Sequence, residues 1–296
     1  MFFVLNEHAG NGRSARVFDQ VRHLLHDGDE VGVTQCAGDG RRLAEEAARA
    51  GHDVVVAVGG DGTINETVNG LAERGFGAAL GILPFGGAND FAFTLGLPRE
   101  PAQAMQLLRR GSMRPIDVAH VTFHSPDEPP RYYVNILGMG LSGAIAASAE
   151  SEKRLGGAFT YLALLLLRMF RAGPTRFEVA AGGEVLARRA LAAHVANGRR
   201  EGRMFRVAPD AQIDDALLDV VAVEDIPRAA RAAFILQVLR GRLLEMKRVV
   251  HRQTETATIR AVDPLTCHMD GEPFVMAPGQ EARVEVRPGA LRVVAP

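Results

Sequence analysis

Short apolar runs alternate with amphipathic stretches through the first 110 residues. Phe2–Leu5, Glu30–Thr34, Val54–Val58 and Ala79–Leu83 read as strands. Between them, Ser14–His26 places Val17, Val21, Leu24 and Leu25 on one helical face, and Arg41–Ala50 is a helix closed by Gly51. Ile64–Glu73 is a third helix, and Pro101–Arg110 a fourth that begins at a proline suited to a first turn. Strands and helices alternating at this spacing predict βαβ units around a parallel sheet.

The pattern changes near Pro115. Val118–Phe123, Tyr132–Leu137, Arg176–Ala180, Leu191–Asn197, Leu218–Val223, Thr256–Ala261 and Ala282–Val286 are predicted strands joined by turns rich in Pro, Gly and Asp. Two helices, Gly157–Arg171 and Pro227–Arg240, interrupt them. The chain is therefore expected to divide into an α/β domain over 1–117 and a mostly antiparallel β domain over 118–296.

Composition narrows the function. With 47% apolar residues in 296, the chain can bury a sizeable core, and a net charge of -1 gives no basic field for a nucleic-acid partner. Cys36 and Cys267 lie far apart without metal-ligand spacing, which fits a reducing, cytoplasmic setting better than a disulfide framework. The start of the chain lacks the pattern of a signal peptide. The most apolar run, Tyr161–Leu167, falls far short of the roughly 20 residues that cross a bilayer. Lys153 and Lys247 are the only lysines and neither follows a glycine-rich loop, so a lysine-bearing P-loop is absent. Phosphates would have to be held by backbone N–H groups, helix ends, arginines or metal.

The strongest chemical signal is Val58-Gly59-Gly60-Asp61-Gly62-Thr63-Ile64-Asn65-Glu66, where a strand runs through glycines into a helix. Glycines let backbone approach a ligand closely, and a helix start offers unpaired N–H groups to phosphate. Thr63 and Glu66 also have capping-box spacing. A second loop, Leu83-Pro84-Phe85-Gly86-Gly87-Ala88-Asn89-Asp90, follows the next strand. Parallel sheets gather ligand loops at their carboxyl ends, so the two loops can share a crevice in which Asp61 and Asp90 hold Mg²⁺. Asn6–Gly12 follows the first strand and is glycine-rich in the same way. Met269-Asp270-Gly271-Glu272 is an acidic tight turn that either aims a carboxylate into a cleft or is simply solvated.

Taken in order, Asn6–Gly12, Gly59–Glu66, Leu83–Ala92 and Asp270–Glu272 resemble the diacylglycerol kinase catalytic-domain family, nearest its soluble bacterial YegS-like lipid kinases. The resemblance spans essentially the whole chain. It implies an N-terminal α/β domain with a parallel sheet, like that of NAD and diacylglycerol kinases, and a C-terminal β-sandwich whose last strand can return to the first domain. It also implies transfer of the γ-phosphoryl group of ATP, with Mg²⁺, to the hydroxyl of a membrane lipid by a protein touching the membrane peripherally. Carried over by motif, nucleotide contacts fall on Asn6, Thr34, Gly59, Gly60, Asp61, Gly62, Thr63, Ile64, Asn65, Glu66, Gly86, Gly87, Asn89 and Asp90. Glu272 would be the general base, with Asp270 beside it. A structural Mg²⁺ would use the Asp215 carboxylate and the carbonyls of Gln212 and Leu217. The chain departs from the family pattern at Glu7, Gly87 and Ala216, where Pro, Thr and Gly are usual. GGDGT alone also occurs in NAD kinases and phosphofructokinases, so an NAD or sugar kinase is the competing enzyme, and a catalytically weak lipid- or nucleotide-binding protein the competing reading of another class.

Gly157–Arg171 carries Phe159, Tyr161, Leu162, Met169 and Phe170 near Arg154, Arg168 and Arg171, a pattern shared by interfacial helices and ordinary buried ones. Arg199, Arg200, Arg203 and Arg206 form either a solvated face or a contact for headgroups or phosphates. No motif specifies an oligomeric state.

Overall fold

Four parallel strands, β1 (Phe2–Leu5), β2 (Glu30–Val33), β3 (Val54–Gly59) and β4 (Ala79–Pro84), lie in the order β2-β1-β3-β4. The computed structural model describes residues 1–125, 128–152 and 167–296. Period-2 alternation sends the side chains of β1 and β3 to opposite faces of the sheet. Val4, Val55 and Ala57 pack with Ile64, Val68 and Leu71 of α3 (Asp61–Ala72) and with Ala44 and Ala47 of α2 (Asp39–Arg49). Phe3, Leu5, Val56 and Val58 pack with Phe18 of α1 (Ala9–Val21) and Met105 of α5 (Pro101–Arg110). Both faces are covered, which is why β3 reads Val-Val-Val-Ala-Val with every residue buried. A short helix, α4 (Asp90–Thr94), precedes α5.

The sheet continues past β4. The last strand, β16 (Glu281–Ala295), meets β4 in parallel at Val293 and Leu80, then pairs antiparallel with β5 (Ser112–Phe123) and β13 (Thr256–Ala261). Both β5 and β16 are much longer than the predicted Val118–Phe123 and Ala282–Val286. Pro115 does not end β5, since it pairs only with β16 at that point and a missing N–H on the open side breaks no bond. One ten-stranded sheet, completed by β6 (Arg131–Tyr133), β8 (Thr175–Ala181) and β9 (Glu184–Ala190), thus runs through both halves of the chain.

A second sheet of six antiparallel strands has the order β12-β11-β10-β7-β14-β15, formed by Val249–Thr254, Leu218–Val223, Ala192–Ala196, Ile136–Gly140, Leu265–Met269 and Glu272–Met276. It packs on the antiparallel part of the first through Val121, Phe177, Ile259 and Val284 on one side and Leu137, Val195, Val220 and Cys267 on the other. The C-terminal half is therefore a β-sandwich. Its outer face is covered by α7 (Arg231–Leu239), through Phe234 and Ile235. The first residue of α6 (Leu141–Glu152) joins the same cluster.

The predicted strand Tyr132–Leu137 is in fact two. Tyr133 ends β6 in the first sheet and Ile136 begins β7 in the second, and the chain crosses between sheets at Val134 and Asn135. Strands β9, β12, β14 and β15 carry polar or bulky charged residues that hid their alternation. The predicted helix Gly157–Arg171 lies largely outside the described residues, and 167–171 is helical.

Candidate active site

Three loops at the carboxyl ends of β1, β3 and β4 meet in backbone contact. The Gly86 N–H donates to the Gly59 carbonyl at 2.8 Å, and a Cβ on Gly86 would overlap the Gly60 Cα. A Cβ on Gly59 would overlap the Thr63 hydroxyl, to which the Asn6 amide donates at 3.2 Å. Gly10, Asn11 and Gly12 all have positive φ, so the α1 segment turns left-handed before it becomes regular, and a Cβ on Gly10 would press on the Phe85 carbonyl at 3.1 Å. Side chains are excluded from this junction because none fits.

These loops form one wall of a cleft of about 460 Å³, lined by Asn6, Gly60, Asp61, Gly62, Thr63, Gly86 and Gly87. The first turn of α3 opens into it without a side-chain cap. Its N–H groups and the helix dipole favour an anion there. The opposite wall is Asp270, Gly271, Glu272, His268, Glu201 and Arg203.

Glu272 is the first residue of β15, directly across from Met269. Asp270 and Gly271 make the two-residue turn between them with φ of 50° and 95°, the geometry for which Asp-Gly is suited. Glu272 Oε1 lies against the start of α3, 2.5 Å from where a Gly62 Cβ would stand. Two motifs about 200 residues apart in sequence are thereby brought together.

Asp270 is differently employed. Its carboxylate accepts the N–H groups of Val134, Asn135 and Ile136 at 2.9–3.0 Å and the Asn65 amide at 3.1 Å. These bonds hold the sheet crossing at 134–135 and fix the acidic turn to α3. Burial pushes its pKa up, against those donors.

Asp61 and Asp90 do come together, but not as a matched metal pair. Asp61 Oδ1 accepts the Asp90 and Phe91 N–H groups at 2.8 and 3.2 Å, starting α4. Asp90 pairs with Arg200 at 2.9 Å and accepts the Arg203 N–H, so its charge is already matched. Burial and the Asp61 charge nonetheless push the Asp90 carboxyl up to about 7. Asp61 is also raised, by burial and then by Asp270 against its N–H donors. Asp90 already pairs with Arg200, so of these two cleft-wall carboxylates Asp61 is the one that would hold Mg²⁺.

Several predicted contacts lie outside the cleft walls. Ile64 is core, and Thr34 is buried beside β1. Asn65 holds Asp270 and the Tyr132 carbonyl. Glu66 closes no capping box: α3 begins earlier, at Asp61, and the Glu66 carboxylate accepts the Gly38 and Gly40 N–H groups at 2.8 Å. Asn89 folds its amide onto the Pro84 and Gly86 carbonyls, shaping the loop. The solvated face expected of the arginines fails at Arg200, which is buried against Asp90 and stacked on Phe93 at 3.6 Å.

A buried polar cluster behind the acidic turn was not anticipated. Glu201 meets His194 at 3.2 Å and His268 at 3.1 Å, and Ser142 donates to it at 2.7 Å. Burial alone would raise the Glu201 pKa, but the two rings hold it well below the usual carboxylate range. The available signal was a histidine inside each apolar strand run, in Ala-Ala-His-Val-Ala and Leu-Thr-Cys-His-Met. Glu201 and Ile145 also border a small apolar cavity of about 60 Å³ lined by Leu141, Phe205, Val207 and Phe234.

Gln212, Asp215 and Leu217 lie on a turn remote from these walls. Leu217 donates its N–H to Asp215 Oδ1 at 3.1 Å, Ala216 donates to Asp117 at 2.7 Å, and Ala216 has φ of 61°. Burial raises the Asp215 pKa, and the nearby Asp219 and Asp117 charges add to it. Among the described residues no group of three or more His, Cys, Asp or Glu side chains is placed to hold a metal ion, at this turn or in the cleft.

Residues 1–121 match the diacylglycerol kinase catalytic domain, and 135–295 match the YegS C-terminal NAD kinase beta sandwich-like domain. A Pseudomonas aeruginosa protein named "Probable lipid kinase YegS-like" is 35% identical over 269 residues, 90% of this chain and 84% of that one. The diacylglycerol kinase of Bacillus subtilis is 30% identical over 250 residues, 84% and 80% of the two chains. In fold, a solved diacylglycerol kinase from Bacillus anthracis gives a TM-score of 0.73 at 22% identity, over 100% of this chain and 96% of that one. Yeast NADH kinase gives 0.57 at 12% identity, over 100% and 83%.

Proposed function

Because this chain belongs to the diacylglycerol kinase catalytic-domain family, with the YegS-type C-terminal domain, we propose that it transfers the γ-phosphoryl group of ATP to a lipid hydroxyl with Glu272 as general base. The observation that carries this reading is the Glu272 carboxylate lying against Gly62 at the open start of α3. A phosphate seated on the first-turn N–H groups of α3 is thereby within reach of the one acidic side chain that leads a strand into the cleft.

The steps follow from the walls. Gly60, Gly62, Gly86 and Gly87 let backbone reach the phosphates, and the α3 dipole favours their charge. Mg²⁺ held by Asp61 would neutralise phosphate charge as it redistributes. The acceptor oxygen forms a bond to the γ-phosphorus as the bond to the β-phosphate oxygen breaks, and its proton passes to Glu272. Asp270 keeps that base in place through its four hydrogen bonds.

A lipid acceptor is supported by the lipid and diacylglycerol kinases among its relatives; the small apolar cavity beside the cleft shares Ile145 and Glu201 with it. Exposed Leu167, Phe170, Leu236 and Leu239 lie on neighbouring segments, since Arg231 of α7 donates to the Met169 and Phe170 carbonyls. These side chains suit peripheral contact with a membrane. Among the described residues no helix is long and apolar enough to cross one.

The test is transfer of labelled phosphate from ATP and Mg²⁺ to a panel of acceptors. The panel holds diacylglycerol, phosphatidylglycerol and a sphingoid base in mixed micelles, and NADH in solution. Label in a lipid, lost in Glu272→Gln, is expected. Label in NADH alone would move the assignment to a nucleotide kinase.

A further inference from the structure

The base turn is gripped from behind. His268, in β14, is 1% exposed, wedged where β7 and α6 come together: a Cβ on Gly138 would overlap both His268 Nε2 and Ser142 Oγ. The Gly271 N–H donates to His268 Nδ1 at 3.1 Å. That nitrogen must therefore be bare, which puts the ring proton on Nε2. Nε2 faces Glu201 Oε1 at 3.1 Å and Ser142 Oγ at 2.8 Å, while Ser142 donates to the same Glu201 oxygen. The tautomer that leaves Nδ1 free for Gly271 is the one that Glu201 selects.

The consequence reaches Glu272 by a short path. Gly271 immediately precedes it, and the Gly271 N–H fixes the plane of the Asp270–Gly271 peptide. The Asp270 carboxylate ties the other end of the turn to 134–136. Residues with φ of 50° and 95° would otherwise be the most adaptable point of the hairpin. Held at both ends, the turn has one way to present Glu272 to the start of α3.

We propose that His268, oriented by Glu201, is a positioning residue that holds Glu272 over the first turn of α3 through the Gly271 N–H. The proposal rests on Glu272 being the base.

Two variants separate the two sides of the ring. His268→Asn sets an amide oxygen near the Nδ1 position and keeps the Gly271 bond; His268→Gln sets its amide near Nε2, keeping the Glu201 side and losing Gly271. His268→Gln is expected to lower kcat about ten- to a hundredfold with KM for ATP within about twofold. His268→Asn should bring kcat back to within about threefold of the wild type. In a Glu272→Gln background, His268→Gln should change the residual kcat less than about twofold, because no base remains to be positioned. Equal losses in the two His268 variants, or a full further loss on Glu272→Gln, would overturn the positioning role while leaving the base intact. Wild-type kcat in Glu272→Gln alone would remove the base assignment and this proposal with it. Should His268→Gln fail to fold, as judged by thermal unfolding, Glu201→Gln is read by the same comparison in both backgrounds.

Discussion

On its α/β side the cleft is bounded by backbone, at Gly10, Gly60, Gly62, Gly86 and Gly87, while on its sandwich side it is bounded by Glu201, His268, Asp270 and Glu272. The first wall excludes side chains by contact: a Cβ at Gly86 meets backbone at Gly60 and has nowhere to go. The second is made of charged and polar groups whose positions depend on one another through hydrogen bonds. A wall of N–H groups binds phosphate of any origin, whereas a wall of placed carboxylates does one kind of chemistry at one place. Changes to the first should appear in KM for ATP, and changes to the second in kcat.

The sharpest test of the division is Glu272→Gln. It keeps the shape of the side chain and removes its basicity, so kcat should fall about 10²–10⁴-fold with KM for ATP little changed. Single-turnover phosphate transfer measures it directly. A change confined to KM would put Glu272 on the binding side of the comparison.

The two walls also differed in how far the sequence disclosed them. Glycine loops between a strand and a helix have a local signature, so the first wall could be read from Gly59–Glu66 and Leu83–Asp90 alone. Even there, spacing misled at Glu66, whose carboxylate serves the loop before α2 rather than the start of α3. The second wall joins Ser142, Glu201 and His268, which are 59, 67 and 126 residues apart pairwise. Only the histidine within an apolar strand run marks one of them locally; their contact is made by the sandwich. The Asp270–Glu272 turn was visible, but the role of Asp270 in bridging the sheet crossing was not. That role depends on Val134–Ile136 leaving one sheet for another, where an unbroken strand had been predicted.

Gly86→Ala probes the backbone wall. The added methyl must part the β3 and β4 loops, at a cost of about 1–3 kcal/mol by comparison with overpacked cores. If that cost falls on the nucleotide-bound form, KM for ATP rises roughly 5- to 150-fold. The kcat at saturating ATP should change much less, since Glu272 and its supports are untouched. Steady-state kinetics with ATP varied decides it, and a fall in kcat with unchanged KM would show that the walls are not separable.

Gly87 is the contrasting glycine. No heavy atom lies within 4 Å of a Cβ placed there, and its φ is not left-handed, so a side chain fits. Gly87→Thr introduces the hydroxyl usual in the family at this position. One neutral hydrogen bond to phosphate is worth about 0.5–1.5 kcal/mol, which lowers KM for ATP about two- to tenfold with kcat unchanged. Isothermal titration with a non-hydrolysable ATP analogue checks the same quantity without turnover. No gain in affinity would mean that phosphate does not pass beside Gly87.

The smallest expected effect lies where the rule of the two halves is inverted. At Ala216 the C-terminal half makes a left-handed turn, φ 61°, with a residue that carries a Cβ. The turn is imposed by its neighbours: Asp117 accepts the N–H groups of Ala216 and Gly289, and Asp215 accepts that of Leu217. Left-handed geometry costs an alanine about 1–2 kcal/mol, which glycine avoids. Glycine loses more chain entropy on folding, about 0.4–1 kcal/mol. The net is a gain of up to about 1.6 kcal/mol, so Ala216→Gly should raise Tm by up to about 3 °C. Differential scanning calorimetry in EDTA and again in Mg²⁺ separates the backbone effect from any cation held by Asp215. An equal rise in both means that Ala216 strains only the backbone. A rise confined to Mg²⁺ means that the methyl had been restricting the carbonyls around a cation, and the turn then belongs with the backbone wall as a place where glycine serves a ligand.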